Sequence, residues 1–452
     1  MDHHISRNLF SLTLVLLLAA CSSNDIYRSD YNACDYKASG DCVENALQVH
    51  TPDGEDEYRL AFVEYDDKGQ LRDRKQMDAV LDEYRRLAIY DDVLLITFVH
   101  GWHHSAKPED GNIVSFRKML SNVSKMEAVG SKQQKRGRRK VLGLYVGWRG
   151  DSISVPYVNH VTFWDRKNTA HNVGQQGVTE MLLKLEEIVN VKVGMEDENP
   201  PPMNSRLVVI GHSFGGAVVY ASLQKILADR FIDSQRGKTF RGDAKGFGDL
   251  VVLINPAFEA LRFSSLYDLS QEGCRGYLKT QLPKLAILTS ETDYATKYAF
   301  SIGRFFSTLF DTHVSLDRHY CTKPGRGGMK EMKISEGAAD RNAVGHFKPY
   351  LTHRLSPASG KEARKGSFQA HDLQAIWANH TNDAPVLFEG SRLESFKRST
   401  TLNPYLNIKV DKELSNDHND IWRPQIVAFI RDLILISTTP LVNDKKVNEK
   451  NM

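Results

Sequence analysis

Leu207-Val208-Val209-Ile210-Gly211-His212-Ser213-Phe214-Gly215-Gly216 reads as a buried strand, a tight G-x-S-x-G turn and the start of a helix that Ala217-Val218-Val219-Tyr220 continues. The four-residue apolar run before the turn and the small-residue helix after it carry more information than the pentapeptide alone. Gly211 and Gly215 have no Cβ, so the chain can turn sharply while strand and helix approach closely. Ser213 is then held at the strand's C-terminal end with its hydroxyl above the sheet. A serine hydroxyl is a poor nucleophile at neutral pH. It needs a general base, a group that orients the base, and hydrogen-bond donors for a developing oxyanion.

Upstream, Asp92-Val93-Leu94-Leu95-Ile96-Thr97-Phe98-Val99 is a nearly continuous apolar run, as expected of a parallel strand covered on both faces. It ends in His100-Gly101-Trp102-His103-His104, and a helix is expected from about Ile113 to Met126. Together with the serine turn, this H-G-aromatic turn resembles the α/β-hydrolase superfamily. The resemblance implies that the backbone N–H groups of Trp102 and Phe214 form an oxyanion hole. The three histidines have neither an H-E-x-x-H helix nor cysteine partners nearby, so no metal is expected, and no cofactor.

The resemblance also implies the chain order Ser, then Asp or Glu, then His, on successive strand ends. Two further apolar runs follow Ser213: Leu250 to Ile254, closed by Asn255-Pro256, and Leu285 to Thr289, followed by Ser290-Glu291-Thr292-Asp293. Asp293 is the expected acid, Glu291 its close rival and Glu259 a third choice. Asp293 also suits the cap of a helix starting near Tyr294, a compatible role. Seven histidines follow it. His418 alone lies between a strand-like run, Tyr405 to Val410, and a terminal amphipathic helix, Ile421 to Leu435, so a loop there can reach Ser213. His371 and His380 sit in polar stretches and are the alternatives. The constellation implies a Ser213–His418–Asp293 triad that cleaves a small-molecule or lipid ester through an acyl-enzyme. A carboxylesterase is the leading expectation. A lipase or phospholipase is the second, and a binding protein that kept the fold without catalysis is the third.

The N-terminus reads as a targeting segment over residues 1–20. Arg7 precedes twelve largely apolar residues, Leu9 to Ala20, too few to span a bilayer. The ending Leu18-Ala19-Ala20-Cys21 resembles a bacterial lipobox, which implies acylation of Cys21 and a membrane tether. Ser22 after it implies the outer membrane, facing the periplasm; an ordinary secreted protein is the alternative. Four cysteines remain, an even number for an oxidising compartment. Cys34 and Cys42 close a short loop, which leaves Cys274 with Cys321; buried reduced thiols are the alternative.

Strands alternating with helices imply an α/β fold with a doubly wound, mostly parallel sheet. The expected organisation is a polar leader over 21–57, one α/β-hydrolase domain over 58–440, and a polar tail over 441–452. The first strand is expected at Tyr58 to Tyr65 and another at Val141 to Trp148, with a crossover helix from Ala170 to Val191. A segment of about 310–403 between acid and base has few apolar runs and reads as a cap or a disordered insertion. Just past the acid, Tyr298-Ala299-Phe300, Phe305-Phe306 and Leu309-Phe310 read as the buried face of a helix, with a lipid-facing lid as the alternative. The run Lys132 to Lys140 holds six basic residues in nine. It lacks aromatic interleaving, so it reads as a solvated loop and no nucleic acid is expected. The net charge of +3 adds no steer, and nothing sets an oligomeric state.

Overall fold

The structure is a computed structural model that describes residues 26–38, 40–51, 55–66, 68–148, 170, 173–174, 177–190, 204–234, 242–358 and 370–439. The expected targeting segment with Cys21 and the polar tail lie outside these residues, as does the segment 149–169. In chain order the strands are β1 (Asp30–Asp35), β2 (Asn45–His50), β3 (Tyr58–Tyr65), β4 (Val93–Val99), β5 (Lys140–Trp148), β6 (Arg206–His212), β7 (Leu250–Ile254), β8 (Leu285–Ser290), β9 (Ser315–Cys321), β10 (Met329–Ser335), β11 (His353–Pro357), β12 (Val386–Phe388), β13 (Ser391–Ser395) and β14 (Tyr405–Val410). The helices are α1 (Arg74–Tyr90), α2 (Gly111–Gln134), α3 (Gly177–Val189), α4 (Phe214–Asp233), α5 (Ala260–Gln271), α6 (Phe300–Ser307), α7 (Glu336–Arg341), α8 (Ala370–Ala378) and α9 (Pro424–Thr438). No helix among the described residues is long and apolar enough to cross a membrane.

Twelve strands form one sheet in the order β1-β2-β3-β5-β4-β6-β7-β8-β14-β11-β13-β12. All neighbours from β3 to β11 pair in parallel. The apolar runs follow from this arrangement. Leu95 and Val99 of β4 and Val209 of β6 point into one core, with α1, α3, α4 and α5. Ile96 and Phe98 of β4 and Ile210 of β6 point into the other, with α2, α8 and α9. A strand buried on both faces cannot alternate apolar with polar, so it appears in sequence as an uninterrupted run. The chain reverses direction across the sheet between β4 and β6, the kind of switch point where open α/β sheets form a crevice at their strand C-termini.

Three expectations need correction. The leader is not a linker, because β1 and β2 extend the sheet beyond β3. The insertion is largely neither cap nor disordered: β11, β12 and β13 continue the main sheet beyond β14, and β9 pairs with β10 as a hairpin. These strands escaped notice because they are short and polar. β11, for instance, has Leu355 as its only buried aliphatic residue, and pairing partners rather than an apolar run decide such a strand. The basic run is only partly solvated. Arg139 is buried, and its guanidinium donates to Glu127 at 3.0 and 2.7 Å and to the Thr438 carbonyl at 2.8 Å. The disulfides are Cys34–Cys42 and Cys274–Cys321. The second ties the end of β9, and so the hairpin, to the turn after α5.

Burial alone would raise the Glu127 carboxyl, yet Arg139 and Arg136 bring it down to about 2. The folded value lies below the unfolded 4.5, so the ion cluster stabilises the fold above that pH and fades as pH falls toward about 2. Arg139→Met leaves a buried charge short of a partner and should cost about 3 kcal/mol in urea unfolding at neutral pH. Adding Glu127→Leu should recover most of that loss; a double variant no more stable than the single would contradict the account.

Candidate active site

The turn after β6 places Ser213 at φ 56°, ψ −122°, a backbone conformation that residues with a Cβ rarely adopt. Neighbouring elements hold it there. The Ser213 N–H donates to Ile254 O at 2.9 Å, and the Ser213 carbonyl accepts from Ala257 and Ala217 N–H at 3.1 and 3.2 Å. The glycines permit the approach. A Cβ on Gly215 would lie 2.1 Å from Val99 O, and one on Gly101 would lie 2.7 Å from Ser213 Cβ. The serine turn and the H-G turn after β4 are thus packed backbone to backbone.

Ser213 Oγ lies 2.7 Å from His418 Nε2, and His418 Nδ1 lies 2.9 Å from Asp293 Oδ2. The structure therefore joins residues some 200 positions apart into one hydrogen-bonded line. Glu291 is turned elsewhere, to Lys409 at 2.9 Å and the Lys412 N–H at 3.3 Å. Glu259 is paired with Arg262 and Arg304. His380 is bonded to Trp377 O at 2.7 Å, and the side chain of His371 lies outside the described residues. The histidines of the H-G turn have separate tasks. His100 is buried; its Nδ1–H donates to Gly101 O at 2.8 Å while Nε2 accepts from Trp148 N–H at 3.0 Å. His104 bonds Asp110 at 3.0 Å, and Trp102 stacks on His103.

Four residues that sequence reading did not single out build the surroundings. The His418 carbonyl accepts from His212 Nε2–H at 3.0 Å and Asn255 Nδ2–H at 2.8 Å, which clamps the loop between β14 and α9 onto the sheet. Asn255 Oδ1 also accepts from the Ser290 N–H at 2.9 Å, so one side chain fixes the base loop to the end of β8. Thr296 caps Asp293: its N–H donates to Oδ1 at 3.1 Å and its hydroxyl to Oδ2. That hydroxyl has a single hydrogen, so the 2.9 Å contact to His346 Nε2 is a donation from His346. Only the cap had a sequence signal, a Thr three residues past an Asp at an expected helix start. His346 had none.

Burial would push the Asp293 carboxyl up, but His418 and the two Thr296 hydrogen bonds outweigh it and hold the group below the usual carboxylate range. Burial, reinforced by the neighbouring His418, brings His212 down to about 3, and burial brings His346 down to about 4. Both are neutral at neutral pH and support the site without adding charge. With Asp293 ionised, His418 carries its proton on Nδ1, which leaves Nε2 to accept from Ser213 Oγ–H. The imidazole faces a cleft with an empty volume of about 350 Å³, open to solvent and lined by Trp102, His103, Ser213, Ala257, Ala295 and Thr296. Phe214 opens α4, so its backbone N–H sits beside Ser213 at the positive end of the helix dipole. No protein-family model, curated protein or solved structure matches the chain.

A proton shared between an imidazole and a buried carboxylate resonates far downfield. Proton NMR should find one such N–H signal, lost in Asp293→Asn and in His418→Gln and retained in Glu291→Gln. Thr296→Val should shift the signal without removing it. Loss of the signal in Glu291→Gln alone would mean that the acid has been misassigned.

Proposed function

We propose that this chain is a serine hydrolase with the α/β-hydrolase fold, acting on carboxylic esters through Ser213, His418 and Asp293. The observation that carries the reading is the unbroken Ser213–His418–Asp293 line at a strained strand–helix turn. A strained non-glycine residue persists only where its surroundings over-determine it, and such residues cluster at sites of chemistry.

The steps follow from the geometry. His418 Nε2 takes the Ser213 proton as Oγ bonds to the ester carbonyl carbon. Asp293 fixes the tautomer and stabilises the imidazolium. Negative charge builds on the carbonyl oxygen, and the Trp102 and Phe214 N–H groups are the donors that the resemblance assigns to it. Collapse breaks the carbon–oxygen bond to the alcohol, which leaves with the proton from His418. Water then gives a proton to His418 and attacks the acyl-enzyme; the carboxylic acid departs and the proton returns to Ser213.

The reading includes export and a lipid anchor on Cys21, supported by the way the apolar run Leu9 to Ala20 ends in Leu18-Ala19-Ala20-Cys21. One observation favours the lipase reading as second. Tyr298, Phe305, Phe306, Leu309 and Phe310, expected as the buried face of a helix, are exposed, and only Phe300 of the stripe is buried.

Hydrolysis of a short-chain nitrophenyl ester should fall by at least about 10³-fold in kcat/KM for Ser213→Ala and for His418→Ala. A fluorophosphonate should label the wild-type protein and leave Ser213→Ala unlabelled. Equal rates for wild type and Ser213→Ala, with no labelling of either, would refute the hydrolase reading and leave a binding protein.

A further inference from the structure

Downstream of Asp293, Tyr294, Tyr298, Ile302, the pair Phe305 and Phe306, and Leu309 follow one another three or four residues apart, and all are solvent-exposed. Phe310 ends the stripe at 95 % exposure, with Phe306 at 69 %. The segment runs through a π-helical turn, Ala295–Ala299, into α6, so this spacing gathers the side chains on one face. Single exposed apolar residues need no explanation, but a contiguous row of this size marks a surface that meets something apolar. Cations flank it: Lys297 lies over the Tyr298 ring at 5.2 Å and Arg341 over the Phe305 ring at 5.0 Å. Aromatic rings beside basic side chains suit the head-group level of an anionic bilayer.

The place where the described chain begins selects the occupant. The backbone N–H groups of Tyr27 and Arg28 donate to Glu64, at the C-terminal end of β3, at 3.1 and 2.9 Å. Arg28 Nε–H donates at 3.0 Å to the carbonyl of Ala106, in the loop after β4. The chain that leads back to Cys21 therefore leaves from the strand C-terminal rim. Ser213 stands on the same rim at the end of β6, and the stripe starts there after β8. From β3 to β8 is five strand spacings, about 24 Å. The five residue steps from Cys21 to Ile26 reach at most about 17 Å. A lipid anchor on Cys21 thus tethers the molecule by this rim.

We propose that the stripe from Tyr294 to Phe310 is a docking face for an anionic phospholipid bilayer, and that it sets the Ser213 cleft against the membrane so that esters carried in the bilayer are the substrates. The substrate clause rests on the hydrolase reading, and the choice of a bilayer as occupant rests on the proposed anchor at Cys21. The test places the full-length protein on vesicles of phosphatidylcholine and phosphatidylglycerol with brominated acyl chains, and compares Phe306→Trp and Phe310→Trp with Tyr90→Trp. Tyr90 is 74 % exposed at the end of α1, just before β4 and so on the opposite rim. Relative to the parent with its five tryptophans, the emission added at 306 and 310 should be blue-shifted and quenched by the bromines, and that at 90 should not. Phe306→Ser with Phe310→Ser should keep the rate on a soluble ester and lose on the order of tenfold on a vesicle-borne ester. No quenching at 306 and 310, or equal quenching at 90, overturns the docking face. A blue shift at 306 without lipid, unaffected by bromine, would assign the stripe to a second copy of the chain instead. Quenching at 306 and 310 in a protein that hydrolyses neither ester would keep the docking face and reject the hydrolase reading.

Discussion

The rim of this sheet depends on one backbone conformation, that of Ser213. A non-glycine residue at φ 56°, ψ −122° costs about 1–3 kcal/mol, so it must be held from outside its own strand and helix. The hold comes from the next strand. Ile254 accepts the Ser213 N–H, and Ala257, just past the same strand, donates to its carbonyl. From the other side the H-G turn closes so tightly that only glycine fits at 101 and 215. Three consecutive strands in space thus determine where one hydroxyl points. A local change at any of them would act on that hydroxyl before it acted on the core.

The second constraint is electrostatic. Asp293 is completely buried, and a buried carboxylate is tolerable only with partners for its lone pairs. Here the partners also belong to the proposed site. His418 supplies one hydrogen bond and Thr296 two, and together they overcome the penalty of burial. The remaining polar groups nearby, His212 and His346, are kept neutral by the same burial, so the site holds a single fixed negative charge.

The insertion between acid and base serves this arrangement from the side. β11 pairs with β14, and the Thr352 hydroxyl beside it donates to Asn407 O and accepts the Asn407 N–H. β14 therefore has neighbours on both edges, and the His418 loop leaves from an interior strand, not from a fraying edge. The Cys274–Cys321 bond restrains the hairpin that precedes this extension. A polar segment that looks dispensable in sequence thus buttresses the element that carries His418.

Much was legible in the chain itself. The apolar runs at Val93, Val141, Leu207, Leu250, Leu285 and Tyr405 marked the central strands, because burial on both faces leaves no polar positions in such a strand. Ser213, Asp293 and His418 were expected from the strand ends and from the chain order that the resemblance implies, and the cysteine spacing matched the pairing found. The outer strands β1, β2, β11, β12 and β13 were not legible, since they are short and mix polar with apolar residues. Asp293 was the expected acid and Glu291, two residues away and chemically alike, its close rival. Lys409 and the Lys412 N–H hold one of them, while Thr296 turns the other toward His418. The sequence alone determined which segments must be buried and where a nucleophile, an acid and a base could stand. Only the tertiary structure decided which polar groups meet and which apolar face stays bare, because hydrogen-bond partners and solvent exposure are relations between distant segments and leave no periodic mark within either one.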